Sequence, residues 1–508
     1  MLRLLRYLKP YLFLILLAVV LLFVQANADL ALPDYMSHIV NVGIQQGGVE
    51  NAVPVAIRQS EMDKLVIFMN ADDKARVLSD YTLVDNGSPD YDRYVTTYPT
   101  LAKEPIYVLN DAGKAESDSL NPVMGKSLLA VSLVERMLAN PSQAAAAGQS
   151  LGFDLSRLPP GTDVFALMAQ LPPATLSPIT AALDQKVDVM GDSMITQSAI
   201  ASIQTEYQAL GMDTGALQTN YILHIGLLML LLTLLSATCT IAVGFLGARI
   251  GSGVARDLRQ NVFKKVESFS STEFDRFSTA SLITRTTNDI TQIQMVVIIM
   301  MRMVIYAPII GVGGVIRATA KSTSMWWIIA LAVIVLLGLI LTVFSISLPK
   351  FKSIQGLIDR LNLVTRESLS GMMVIRAFNM QSFEENRFDK ANRDLTNTNL
   401  FVNRVMITMM PVMMLVMNGL SLLIIWVGGH HVAQSQMQVG DMMAFMQYAM
   451  LIVMAFLMLS MMFILLPRAS VSADRIADVL ETEPVIQDPE KPKRFPEPFK
   501  GSIEFRNV

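Results

Sequence analysis

One cysteine in 508 residues excludes an internal disulfide and any cysteine-based metal centre. Cys239 lies inside an apolar run, where a small side chain serves packing. Histidine is also scarce, with four in all, and the adjacent His430-His431 pair after Gly428-Gly429 does not make a metal site. Charged residues are only 16% of the chain, too few for a typical soluble domain. No basic face is concentrated outside the segments that flank apolar runs, which excludes nucleic acid as a partner. No G-x-x-x-x-G-K-[ST] string occurs, and no acidic strand suited to holding Mg²⁺ is recognisable. Gly125-Lys126-Ser127 imitates the end of such a loop, but position 120 is Leu120 where the earlier glycine belongs. No catalytic, cofactor-binding or metal-ligating residue is therefore assigned, and the chain is no ATPase by any motif it carries.

What is abundant is apolar. Hydrophobic residues make up 52% of the chain, and the mean hydropathy is +0.44, as expected of an integral membrane protein. Six runs, at 11–31, 222–248, 295–317, 325–348, 405–427 and 442–466, are long enough to cross a bilayer. Arg256, Arg259, Lys264 and Lys265 place the loop over 249–294 in the cytoplasm, as Lys350, Lys352 and the charged 359–404 stretch do for the next long loop. Both chain ends are then cytoplasmic, and the intervening residues 45–219 lie outside the cell. That insertion holds 21 acidic and 11 basic side chains, so the rest of the chain is net positive although the total is −3. Its helix-like runs at 126–139 and 194–210 predict a mostly helical extracellular domain. The Ala-rich 139–149 and LPPGTD at 158–163 read as linker or turn.

The loops are more informative than the spans. Val254, Leu258, Val262 and Val266 recur every four residues beyond the second span, predicting a helix that continues out of the membrane. Ser268–Thr272 breaks the pattern with capping residues, and residues 273–277 predict a short transverse helix. The string KVESFSSTEFDRFSTASLITRTTNDITQIQ (265–294) resembles the first intracellular loop of ATP-binding-cassette exporters with six helices per subunit, most closely the heterodimeric bacterial multidrug type. RESLSGMMVIRAFNMQSFEENRF (366–388) resembles the second intracellular loop, in which a coupling helix follows the V-I-R-A-F string. Residues 1–9 resemble the amphipathic elbow helix of that family, and RASVSADRIADVLETEP (468–484) the connection to its ATPase domain, with Ile476, Val479 and Leu480 on one face. Residues 11–28 imitate a cleaved signal, with Ala26-Asn27-Ala28 as the site, but the likeness continues through it to residue 44.

The resemblance implies an all-α membrane protein. Its parts are an elbow and first span (1–44), the extracellular insertion (45–219), spans two to six with long cytoplasmic helical extensions (220–467), a linker (468–500) and the first strand of a truncated nucleotide-binding domain (501–508). It implies a plasma-membrane exporter that moves drugs, lipids or other amphipathic molecules by alternating access. A second subunit would be its partner, in a heterodimer or alternatively a homodimer, and ATP with Mg would bind the missing domain. Ser271, Thr272, Glu273, Phe274, Asp275, Arg276 and Phe277 would form one coupling contact, and Phe378, Gln381, Phe383, Glu384 and Glu385 the other. Asp29, Arg302, Met410, Met413, Met443 and Met446 are candidates for the translocation path. An interfacial Asp29, a snorkelling Arg302 and methionines that only pack are the plainer readings. Two functional alternatives stay open: a permease served by a separate ATPase, and a receptor or regulator that uses the insertion as a ligand sensor.

Overall fold

The computed structural model describes residues 2–139, 164–170, 192–434, 436–486, 498 and 501–506. The LPPGTD turn, the Ala-rich segment beyond residue 139 and most of the linker after residue 486 lie outside the described residues. Within them, six helical stretches are long and apolar enough to cross a membrane. The chain divides into two compact units: Met1–Ala26 with Ser236–Ile309 and Ala455–Val508, and Asn27–Leu235 with Ile310–Met454.

A 3-10 helix over Leu2–Tyr11 leads into α1 (Leu12–His38), which passes into a π-helical segment, Ile39–Gln45. Two glycines at positive φ, Gly47 and Gly48, turn the chain out of it. A Cβ there would meet Gln204 Nε2 at 2.6 Å or the Leu217 carbonyl at 2.9 Å, so neither position has room for a side chain.

The insertion has its own core. Three short strands, β1 (Ala56–Arg58), β2 (Tyr81–Val84) and β3 (Ile106–Leu109), form an antiparallel sheet in the order β1-β3-β2. Ala56 pairs with Val108, and Tyr81 with Leu109. Around it lie α2 (Gln59–Leu65), α3 (Ala71–Asp80), α4 (Tyr91–Thr97), α5 (Asp111–Ala115), α6 (Ser117–Ala139), α7 (Val164–Ala169) and α8 (Asp192–Ala209). The helical expectation missed the sheet because strands of three or four residues show no more than two alternations, and two of them abut a helix directly. Ile57, Met62, Ile106, Leu120, Met124 and Ile203 are fully buried in this core. Arg58 forks onto Glu206, with Nε 3.0 Å from Oε1 and Nη2 2.6 Å from Oε2, tying β1 to α8. The Tyr207 hydroxyl accepts the Val55 amide at 2.9 Å, and burial pushes its phenol up to about 12.

The remaining long elements are α9 (Thr214–Glu267), α12 (Ile290–Lys321), α13 (Trp326–Ser370), α15 (Gln381–Ala433) and α16 (Val439–Glu481). Between them lie the short α10 (Ser271–Phe277), α11 (Thr279–Thr284) and α14 (Met372–Ala377). Residues 501–506 do not form the expected strand: Ile503 and Phe505 are exposed, and no neighbour among the described residues completes a ladder.

Truncating Met124 to Ala leaves a cavity in the insertion, with an expected loss of about 2–5 kcal/mol. Hydrogen exchange should quicken in β3 and α8 while α13 and α15 keep their protection. Unchanged exchange at the sheet would contradict this packing.

Candidate functional site

The first loop is built on the four-residue repeat of α9. Ile250, Val254, Leu258 and Val262 are buried against Ile290, Ile293 and Val296 of α12 and against Ala469, Ala473, Ile476 and Val479 of α16. Gly251 permits the close approach, since a Cβ would meet Ile298 Cγ1 at 2.6 Å. After Glu267 the chain turns, and Ser270 caps α10. Its amide and hydroxyl donate to Glu273 Oε2 at 2.6 and 2.7 Å, while Glu273 Oε1 accepts the Val485 amide at 3.1 Å. The donors on Ser270, and then the Val485 amide, hold the Glu273 carboxyl below the usual carboxylate range although its packing opposes this. Phe277 stacks on Phe269 with ring centroids 5.8 Å apart, and the guanidinium groups of Arg276 and Arg285 lie 5.3 and 5.0 Å from its centre. Arg285 also donates to the Arg475 carbonyl at 2.6 Å, and Ser472 to Asp289 at 2.8 Å.

This geometry sorts the expected contacts. Glu273 and Phe277 are buried and hold the tip together. Ser271, Thr272, Phe274, Asp275 and Arg276 form its exposed face. Ser278 follows at φ 54°, a strained value for a non-glycine residue, where α10 gives way to α11.

The second loop is held by charge. Packed side by side, α13 and α15 are joined by Arg360–Asp394 at 3.7 Å and by Arg387 with Glu367 and Glu384. Ser368 donates to Glu384 at 3.1 Å. The short helix between them is α14, formed by the V-I-R-A string and its two preceding methionines, where the resemblance placed it after that string. Gly371 and Asn379 (φ 52°) break the chain on either side of it. Phe378 therefore sits in the turn, while Gln381, Phe383, Glu384 and Glu385 begin α15. Met373 (81% exposed), Val374 (61%), Phe378 (75%) and Phe383 (58%) leave this tip unusually apolar. Glu384 is engaged within the loop rather than presented outward.

Among the candidate path residues, Arg302 is exposed on α12 and belongs to the first unit, and Asp29, Met410, Met413, Met443 and Met446 belong to the second. Met413 is buried at 3% exposure while Met410, on the same helix, is 59% exposed. Sequence reading missed a charge cluster in the second unit: Asp34 lies 2.9 Å from Arg317 and 3.3 Å from Lys321, which is 3.2 Å from Asp441. Its signal was there, since ionisable residues at the ends of apolar runs pair with one another. Gly125-Lys126-Ser127 lies in the middle of α6, whose amides are turned into helical bonds, so it offers no phosphate cradle.

The profile of the ABC transporter transmembrane region matches residues 193–456. The chain belongs to that family. It is a multi-pass membrane protein. It is 40% identical over 278 residues to an uncharacterized ABC transporter ATP-binding protein of Mycobacterium tuberculosis, covering 55% of this chain and 48% of that one. An uncharacterized ABC transporter ATP-binding protein of Bacillus subtilis, YfiB, is 32% identical over 318 residues, covering 62% and 55%. The multidrug resistance-like ATP-binding protein MdlA of Buchnera aphidicola is 24% identical over 239 residues, covering 47% and 41%. The ABC transporter chain in hand thus spans about half the length of these relatives.

A lowered Glu273 pKa means that its contribution is fully present above the usual carboxylate value and is lost as pH falls through the lowered one. Protection factors of the Ser270 and Val485 amides should hold from neutral pH through the ordinary glutamate range and drop only below it. Glu273→Gln should lower both at neutral pH and remove the drop at acid pH.

Proposed function

We propose that the chain is the membrane part of an ATP-driven exporter subunit that expels drugs, lipids or other amphipathic molecules across the plasma membrane by alternating access. The observation that carries this reading is the pair of helix-borne tips, one with an exposed polar face and one with an exposed apolar face. Each is fixed to its helices by internal bonds, so a push on the tip reaches the spans instead of bending the loop. In α9 no proline interrupts 54 residues, which suits a lever. The tips would rest on ATPase domains in the cytoplasm, which would hold ATP and Mg; no step is assigned to residues of this chain. Closure of those domains would tilt the helices and open the path toward the outside, where the insertion would lie.

Pairing with a second, different subunit is the preferred assembly, supported by the likeness of the loops to heterodimeric exporters. The name of the MdlA relative agrees with a multidrug range. Flexible methionines at 410, 413, 443 and 446 would suit substrates of varied shape.

The test is a change at the exposed Phe378, where folding has little at stake. In a reconstituted complex with ATPase domains, Phe378→Asp should cut substrate export about tenfold while basal ATP hydrolysis stays within twofold. Unaltered export would remove the second tip from the transmission path.

A further inference from the structure

A cavity of about 270 Å³ opens where the π-helical end of the first span meets α6, α8 and the start of α16. Most polar groups in its wall are already partnered. The Gly440 amide donates to Asn41 Oδ1 at 2.7 Å, Asn41 Nδ2 to Ser37 Oγ at 3.1 Å, and Ser37 Oγ to Asp441 Oδ1 at 2.8 Å. Lys321 reaches that same carboxylate oxygen and is also shared with Asp34. Across the cavity, Asn121 accepts the Ala52 amide at 2.7 Å and donates to Thr196 at 3.1 Å.

One group breaks this pattern. Gln46 is 3% exposed and lines the cavity, yet among the described residues its Oε1 has no hydrogen-bond partner. A buried acceptor left unmade is costly and signals an occupant that donates. The charge of the wall selects the donor. Asp441 is balanced by Lys321, which leaves the exposed carboxylate of Glu50 as the cavity's surplus charge. The closed chain from Gly440 to Asp441 fixes the backbone around the site, so the acceptor is held in place and need not be ordered on binding. The volume lies just below the usual range of ligand pockets, which restricts the occupant to a small molecule or head group.

We propose that this cavity binds a primary ammonium group, which donates N–H bonds to Gln46 Oε1 and is neutralised by Glu50. The group could belong to a free small amine or to an aminophospholipid head; both present the same –NH₃⁺. The proposal stands apart from the exporter reading, because it needs neither ATP nor transport.

The test is calorimetric titration of the full chain, in discs of phosphatidylcholine, with propylammonium. Tetramethylammonium, equally charged but without N–H donors, is the control. Saturable binding of propylammonium is expected, at least tenfold tighter than tetramethylammonium and weakened at least tenfold in Gln46→Leu. Glu50→Gln, a change at an exposed position that spares the fold, should also weaken it several-fold. Discs made with phosphatidylethanolamine then separate the two sources. Loss of propylammonium binding there supports the lipid head group, and unchanged binding supports a free amine. No saturable heat, equal affinity for the two cations, or an unaffected Gln46→Leu would each mean that the cavity holds water only and would overturn the proposal.

Discussion

Every backbone N–H and C=O that enters hydrocarbon must find its partner within the protein, because lipid supplies none. The helix meets that demand within one segment, and the six long apolar helical stretches among the described residues are its consequence. The same demand explains little of their length. At 1.5 Å per residue, the 54 residues of α9 run roughly 80 Å, more than twice a hydrocarbon core of about 30 Å. Something other than lipid must stabilise the excess. In α9 it is the stripe of Ile250, Val254, Leu258 and Val262, buried against α12 and α16. In α13 and α15 it is a mixture of packing and ion pairs, with Arg387 between Glu367 and Glu384 at the end.

The two tips show how differently a chain can secure a short helix. At the first, one carboxylate serves three donors: Glu273 takes the amide and hydroxyl of Ser270 and the amide of Val485. The aromatic face of Phe277 closes the other side beneath two guanidinium groups. Because Val485 belongs to the segment after α16, the bond ties that segment to the tip. At the second tip the fastening is borne by the flanking helices, and α14 is left with its apolar residues exposed. A surface of that kind is stable in water only at a cost, and a partner that covers it would remove the cost.

Length and periodicity made most of this legible in the sequence. Runs of twenty apolar residues leave little choice of structure, and the four-residue repeat from Val254 to Val266 predicted a helix whose buried side the structure confirms through Val262. Capping residues at 268–272 marked the turn before α10. What failed to show was whatever depends on partners distant in sequence. Strands as short as Ala56–Arg58 carry too little alternation to be read alone and exist because β3 pairs with both neighbours. The links from Asp34 to Arg317 and Lys321, and from Lys321 on to Asp441, join residues that lie far apart in the sequence, 283 positions for Asp34 and Arg317 and 120 for Lys321 and Asp441. Glu273 reads as a surface residue of a polar loop until its three donors are seen, and Gln46 reads as an ordinary glutamine until its buried oxygen is found without a donor among the described residues.

The orientation of the chain is the point on which the lever mechanism stands, and labelling with a membrane-impermeant maleimide addresses it most directly. Cys239 is buried at 3% exposure, so the native background is silent. Cysteines placed at the exposed positions Asn86 in the insertion, Thr272 on the first tip and Met373 on the second report each location separately. In intact cells Asn86→Cys should react while Thr272→Cys and Met373→Cys react only after the membrane is opened. Reaction of either tip residue in intact cells, or protection of Asn86→Cys there, would place the tips or the insertion on the wrong side and contradict the mechanism.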